Sequence, residues 1–270
     1  MTLDRRGFTL VELLIVVVLG SLVLLAALQV LVTNQRTYTA QNATIEGQQS
    51  TRMALEVLFN ELRQVSPQGG DILMMSSDSL RVRMMRKFTR TCDTTTVLGV
   101  PILTTVDIGP VDFAVGDSVF VFADNNQRDD DDDNWFRAQI TAAASGTCPQ
   151  DGSAARLLSF TGQGGLFTAD TVGIGAPVRS YSTVRFGLTT YSGDVYLGRA
   201  TGAAALTPVA GPLRANTGIQ FVYRDALGAV TATPADVRQI VVTVRSGSGV
   251  LNSLGQTVSD SITAWVYTRN

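Results

Sequence analysis

Three regimes of hydrophobic patterning divide the chain. In the first, residues 13–35 carry no charge, and the apolar positions fall on every face of a helix. At ~1.5 Å per residue such a helix is about 35 Å long, enough for a bilayer core of about 30 Å. The pattern predicts a membrane-spanning segment. In the second regime, residues 33–49 are polar and free of proline; then Leu55, Leu58, Phe59, Leu62 and Val65 recur at helical spacing. Glu46, Arg52, Glu56, Glu61 and Arg63 take the other faces, as an amphipathic helix requires. One helix is therefore expected over residues 8–65, about 85 Å long. Pro67 and Gly69-Gly70 stop it. Gly47 is a weak point, costing about 1 kcal/mol relative to alanine. A free coiled coil is the alternative, but the stripe is too short for sustained heptads.

In the third regime, after Gly70, the period falls to two. Strands are expected at 80–85, 118–123, 135–141, 156–160, 182–190, 195–199, 218–224, 238–245 and 261–268. Turn signals at 192–193, 225–228 and 246–249 separate them. Ile219, Phe221 and Tyr223 alternate with Gln220, Val222 and Arg224, and Ile240, Val242 and Val244 alternate likewise. Such strands build antiparallel sheets with one face on a core. The expected fold class is α+β, a long helix packed on an antiparallel β-rich head.

Composition narrows the chemistry. The chain has 270 residues, no histidine, and a formal net charge of -2. Without histidine, the commonest general base and the commonest metal ligand are missing. Lysine occurs only at Lys87, so a serine–lysine pair has almost no candidate. An enzyme is not expected. The near-neutral balance gives no footprint for nucleic acid. Arg81, Arg83, Arg86, Lys87 and Arg90 form a local basic cluster that reads first as the wet face of an edge strand.

The N-terminus carries the most specific signal. Arg5 and Arg6 precede the apolar run, which places the N-terminus in the cytoplasm and the head outside. A secretory signal cut near Ala26-Ala27 would need a shorter apolar core. A plain anchor leaves Glu12 unexplained, because a carboxylate in an apolar span calls for a partner. The string Gly7-Phe8-Thr9-Leu10-Val11-Glu12 resembles the processing site of type IV prepilins and type II secretion pseudopilins. That resemblance implies cleavage between Gly7 and Phe8 by a prepilin peptidase, followed by N-methylation of Phe8. It also implies that Glu12 pairs with the N-terminal amine of a neighbouring subunit during assembly. The implied domains are a leader at 1–7, a helix at 8–66 with 8–32 in the membrane, and a head at 71–270. All eight prolines lie at Pro67 or later, whereas many major pilins carry one near the position of Gln29; this fits a minor pilin.

Residues 182–199 and 213–244 resemble the C-terminal half of PilW-type minor pilins and of J-type pseudopilins, while about 90–178 reads as a variable insertion. The resemblance implies a structural subunit of a tip complex that primes or caps pilus assembly. The alternatives are a type II secretion pseudopilin and a tip adhesin or DNA-uptake subunit. Implied partners are other minor and major pilins, the peptidase, an inner-membrane assembly platform, and membrane lipid before assembly. The implied location is the inner membrane with the head in the periplasm, then the filament. In that compartment Cys92 and Cys148 are expected to form a disulfide. No cofactor is expected. The aspartate run reads as a solvated loop, with calcium at Asp129, Asp131 and Asp133 as its weaker alternative.

Overall fold

The computed structural model describes residues 9–97, 100–108, 112–123, 134–162, 172–252 and 255–269. A single helix, α1 (Leu10–Leu62), opens the fold. It ends three residues before the apolar stripe does. Residues 63–65 turn out of it, yet Val65 stays fully buried. From residue 43 onward the helix buries Ala43, Gly47, Ser50, Thr51, Ala54, Leu55, Leu58 and Leu62.

The strands that follow are β1 (Ile72–Met75), β2 (Leu80–Val97), β3 (Val100–Val106), β4 (Ser118–Ala123), β5 (Asn134–Thr147) and β6 (Ala154–Gly162). After them come β7 (Pro177–Tyr191), β8 (Asp194–Thr201), β9 (Thr207–Leu213), β10 (Ile219–Arg224), β11 (Gln239–Arg245) and β12 (Ser261–Tyr267). Every strand expected from the alternation is present. β1, β3 and β9 were not expected, and β2, β5 and β7 run longer than their patterns indicate. β1 is too short to alternate, and β9 carries Pro208 and Pro212, which mark edge positions rather than sheet interiors.

Pairing splits the strands into two bodies that share β2 and β7. In the first, β1-β2-β7-β8-β9 form an antiparallel sheet, with residues 80–85 of β2 against 181–186 of β7. In the second, β2 pairs β3, β3 pairs β6, β6 pairs β5, β5 pairs β4, β4 pairs β7, and β7 pairs back to β2. That ring is a closed six-stranded antiparallel barrel, and closure removes its edges. β2 carries a bulge between Met85 and Lys87, where it leaves the sheet for the barrel. Bulges bend a strand and re-aim its side chains. The residues expected to be an insertion, about 90–178, thus supply most of a barrel with its own interior. Val119, Val121, Ile140, Leu158, Phe160 and Val178 fill it.

A separate antiparallel sheet, β10-β11-β12, completes the head. Its inward residues Phe221, Ile240, Val242 and Val244 share one core with Leu58 and Leu62 of the helix and with Leu80, Val82, Val184, Phe186 and Leu197 of the first sheet. The helix packs against β9 and β12, so it covers an edge of each sheet. Tyr223 donates its hydroxyl to the Ser76 carbonyl at 2.9 Å and ties β10 to the turn after β1.

Candidate functional site

The helix begins at Thr9, whose backbone is extended and whose side chain accepts from the Glu12 amide at 3.3 Å. Glu12 returns the contact. Its Oε2 accepts from the Thr9 amide at 3.0 Å and from the Thr9 hydroxyl at 2.9 Å. This is a capping box, which satisfies donors that the first helical turn would otherwise leave open. Glu12 therefore sits at the tip of the stem with one oxygen engaged. Its Oε1 makes no hydrogen bond among the described residues. Gly7 and Phe8, the expected processing site, lie outside the described residues.

Behind Glu12 the stem is bare. Leu13, Val17, Leu24 and Leu28 are 62, 60, 66 and 56% exposed, and the stretch is long and apolar enough to cross a membrane with none of it buried in the protein. A monomeric soluble protein rarely shows so continuous an apolar surface. Lipid or other apolar helices are what it can face.

Where the helix enters the head, Gly47 allows a close approach. A Cβ there would lie 2.7 Å from Ser246 Oγ. Ser246 Oγ accepts from the Asp260 amide at 2.9 Å, and Thr51 donates to Asp260 Oδ2 at 3.0 Å. Gly47 is thus a packing residue that lets the helix seat on the loop before β12. At the helix end, Glu61 meets Arg199 of β8 at 3.1 Å and Arg86 of β2 at 3.8 Å.

The basic cluster is largely spoken for. Lys87 pairs with Asp117 at 2.7 Å, Arg86 bonds the Ser182 hydroxyl at 2.6 Å, and Arg83 donates to the Gly70 carbonyl. Arg83 also lies over the rings of Phe120 and Tyr181, and burial holds its guanidinium below its ordinary pKa. Arg179 stacks over Phe120 at 4.6 Å and Trp135 at 4.8 Å while pairing with the buried Asp71 at 3.2 Å. Burial raises the Asp71 pKa, opposed by the Arg179 charge and by the Ser66 amide that donates to it. Asp71 follows the helix end and Arg179 belongs to the barrel, so this contact joins the two bodies. Sequence patterning did not single out either residue.

Cys92 of β2 and Cys148 at the end of β5 form a disulfide with Cα atoms 5.8 Å apart, packed with Ala155 at one end of the barrel. Asp129, Asp131 and Asp133 lie outside the described residues. Among the described residues no group of three or more acidic or cysteine side chains could hold a metal.

Residues 3–28 match the family model of the prokaryotic N-terminal methylation motif, which is typical of type IV prepilin-like proteins. The match covers Glu12 and the apolar stem up to Leu28. No curated protein and no solved structure matches the chain. A prepilin-type N-terminus on a long apolar helix, followed by an antiparallel β head, is a pilin-like α+β architecture. The motif supports a protein of the type IV pilin or pseudopilin kind, anchored at the inner membrane and associating with other pilins.

Proposed function

We propose that this chain is a minor type IV pilin of the PilW kind, a structural subunit of a tip complex that primes or caps the filament. A prepilin peptidase cuts between Gly7 and Phe8 and Phe8 is methylated. The head stays on the periplasmic side until an assembly platform lifts the subunit out of the membrane. Glu12 then exchanges its contact with its own helix terminus for the N-terminal amine of the next subunit. In a low-dielectric filament core an unpaired carboxylate is costly, and a cation at contact distance offsets its desolvation.

The observation that carries this reading is the stem itself: an apolar helix exposed on all sides, ending in a carboxylate inside a methylation motif. A structural role also fits a head whose prominent polar contacts join its parts, such as Asp71–Arg179 and Glu61–Arg199. The test is genetic. Cells lacking the chain should keep major subunits in the membrane and show few filaments. Full-length chain should restore them, and the Glu12→Ala chain should not. Normal filament numbers without the chain would sink the priming role.

A further inference from the structure

The sheet β10-β11-β12 has an outer face on which Gln220, Thr263, Trp265 and Tyr267 are exposed and Val222, Val241 and Thr243 half-buried. Its register sets out three rows. Val222, Val241 and Trp265 lie side by side across the three strands. Gln220, Thr243 and Thr263 form the row on one side, and Arg224, Gln239 and Tyr267 the row on the other. Trp265 is 56% exposed and Tyr267 70% exposed. Facing core residues of the same strands, such as Val242 and Val244, are fully buried, so the alternation places these side chains outward.

This composition is that of an interface centre. Tryptophan, tyrosine and arginine are the residue types that most often anchor protein contacts, and the rim of such contacts is polar. Among the described residues the face holds two guanidiniums, Arg224 and Arg245, and no carboxylate. Arg245 bonds Gln220 and the Thr217 carbonyl, and Arg224 bonds the Gly228 carbonyl, so both are fixed in place, and neither forms an ion pair among the described residues. A partner with an apolar patch and a carboxylate rim complements it.

Position names the partner. β12 packs along α1, and Thr51 of the helix bonds Asp260 just before that strand. The outer face therefore flanks the line along which the bare stem leaves the head. Two stems that pack side by side bring the next head against a surface flanking the helix. We propose that the outer face of β10-β11-β12, centred on Trp265, is the head-to-head contact with the adjacent pilin-like subunit. This rests on the pilin reading above.

The test is a photo-crosslink in the native cells, using full-length chain with benzoylphenylalanine at one position at a time. Position 265 probes the face; position 115, on the barrel turn and 63% exposed as valine, is the control; position 24 probes the stem. Adducts are identified by mass spectrometry. The expected result is an adduct at 265 with a second subunit that itself carries a methylated N-terminus, an adduct at 24, and a yield at 115 at least about tenfold lower. Trp265→Glu should lower the recovery of that subunit with the full chain by about tenfold or more, the scale of an interface anchor, while processing of the N-terminus is unchanged. An adduct at 24 with equal or greater yield at 115 than at 265 overturns the face and leaves the pilin reading standing. No subunit adduct at 24 or 265 removes both. An adduct at 265 with lipid, glycan or a protein without the motif also overturns the proposal.

Discussion

Replacing Gly47 by alanine separates helix propensity from packing. On an exposed helix surface the change stabilises by about 1 kcal/mol, because glycine loses more backbone freedom than alanine on folding. Here the new methyl would sit 2.7 Å from Ser246 Oγ and 3.4 Å from Ser246 Cβ. Ser246 is 3% exposed, and its hydroxyl is held by the Asp260 amide. Either the hydroxyl rotates and gives up that bond, or the helix lifts from the loop before β12. A lost buried hydrogen bond costs about 1–3 kcal/mol and overpacking a similar amount. Set against the helix gain of about 1 kcal/mol, the net expectation is destabilisation by up to about 2 kcal/mol. Ser246→Ala removes the obstructing oxygen, so the double variant should be more stable than the sum of the single changes predicts, by at least about 1 kcal/mol. Denaturant unfolding of all four proteins in detergent measures the cycle. Strict additivity, or a stabilised Gly47→Ala protein, would refute the close approach.

Two further outcomes follow from buried contacts in the head. The Asp71 carboxyl has a raised pKa in the fold because burial disfavours its charged form. A raised folded value means that its contribution to stability is full below the ordinary aspartate range and is lost as pH rises through the raised value. The stability of the natural protein relative to Asp71→Asn should therefore fall as pH rises above the ordinary aspartate range, and a rise would contradict the assignment. Reducing Cys92–Cys148, whose partners lie 56 positions apart in sequence, should cost about 4 kcal/mol in the chain-entropy treatment. Hydrogen exchange should then report faster opening in the barrel strands than in β10-β11-β12.

The sequence exposed the helix and most strands because their burial is regular. Leu55, Leu58 and Leu62 follow one helical face, and Ile240, Val242 and Val244 follow one sheet face. The barrel was hidden for a physical reason: closure depends on which strands pair, and β7 meets both β2 and β4 through residues 178–181. Alternation within a strand says nothing about that. β1 and β9 were missed because one is too short to show a period and the other contains two prolines. At the stem, Glu12 stood out as a lone carboxylate in an apolar run, but its bond to Thr9 became visible only with the helix start in place. Gly47 read as a weak point, because a sequence does not show what packs against a glycine. The Asp71–Arg179 contact spans 108 positions, beyond the reach of local patterning.

The most direct test of the pilin assignment is the mass of the N-terminus of the full chain, made with and without a prepilin peptidase. The account predicts that residues 1–7 are lost only when the peptidase is present, and that Phe8 then carries one methyl group. An intact N-terminus under both conditions, or a cut near Ala27, would contradict it.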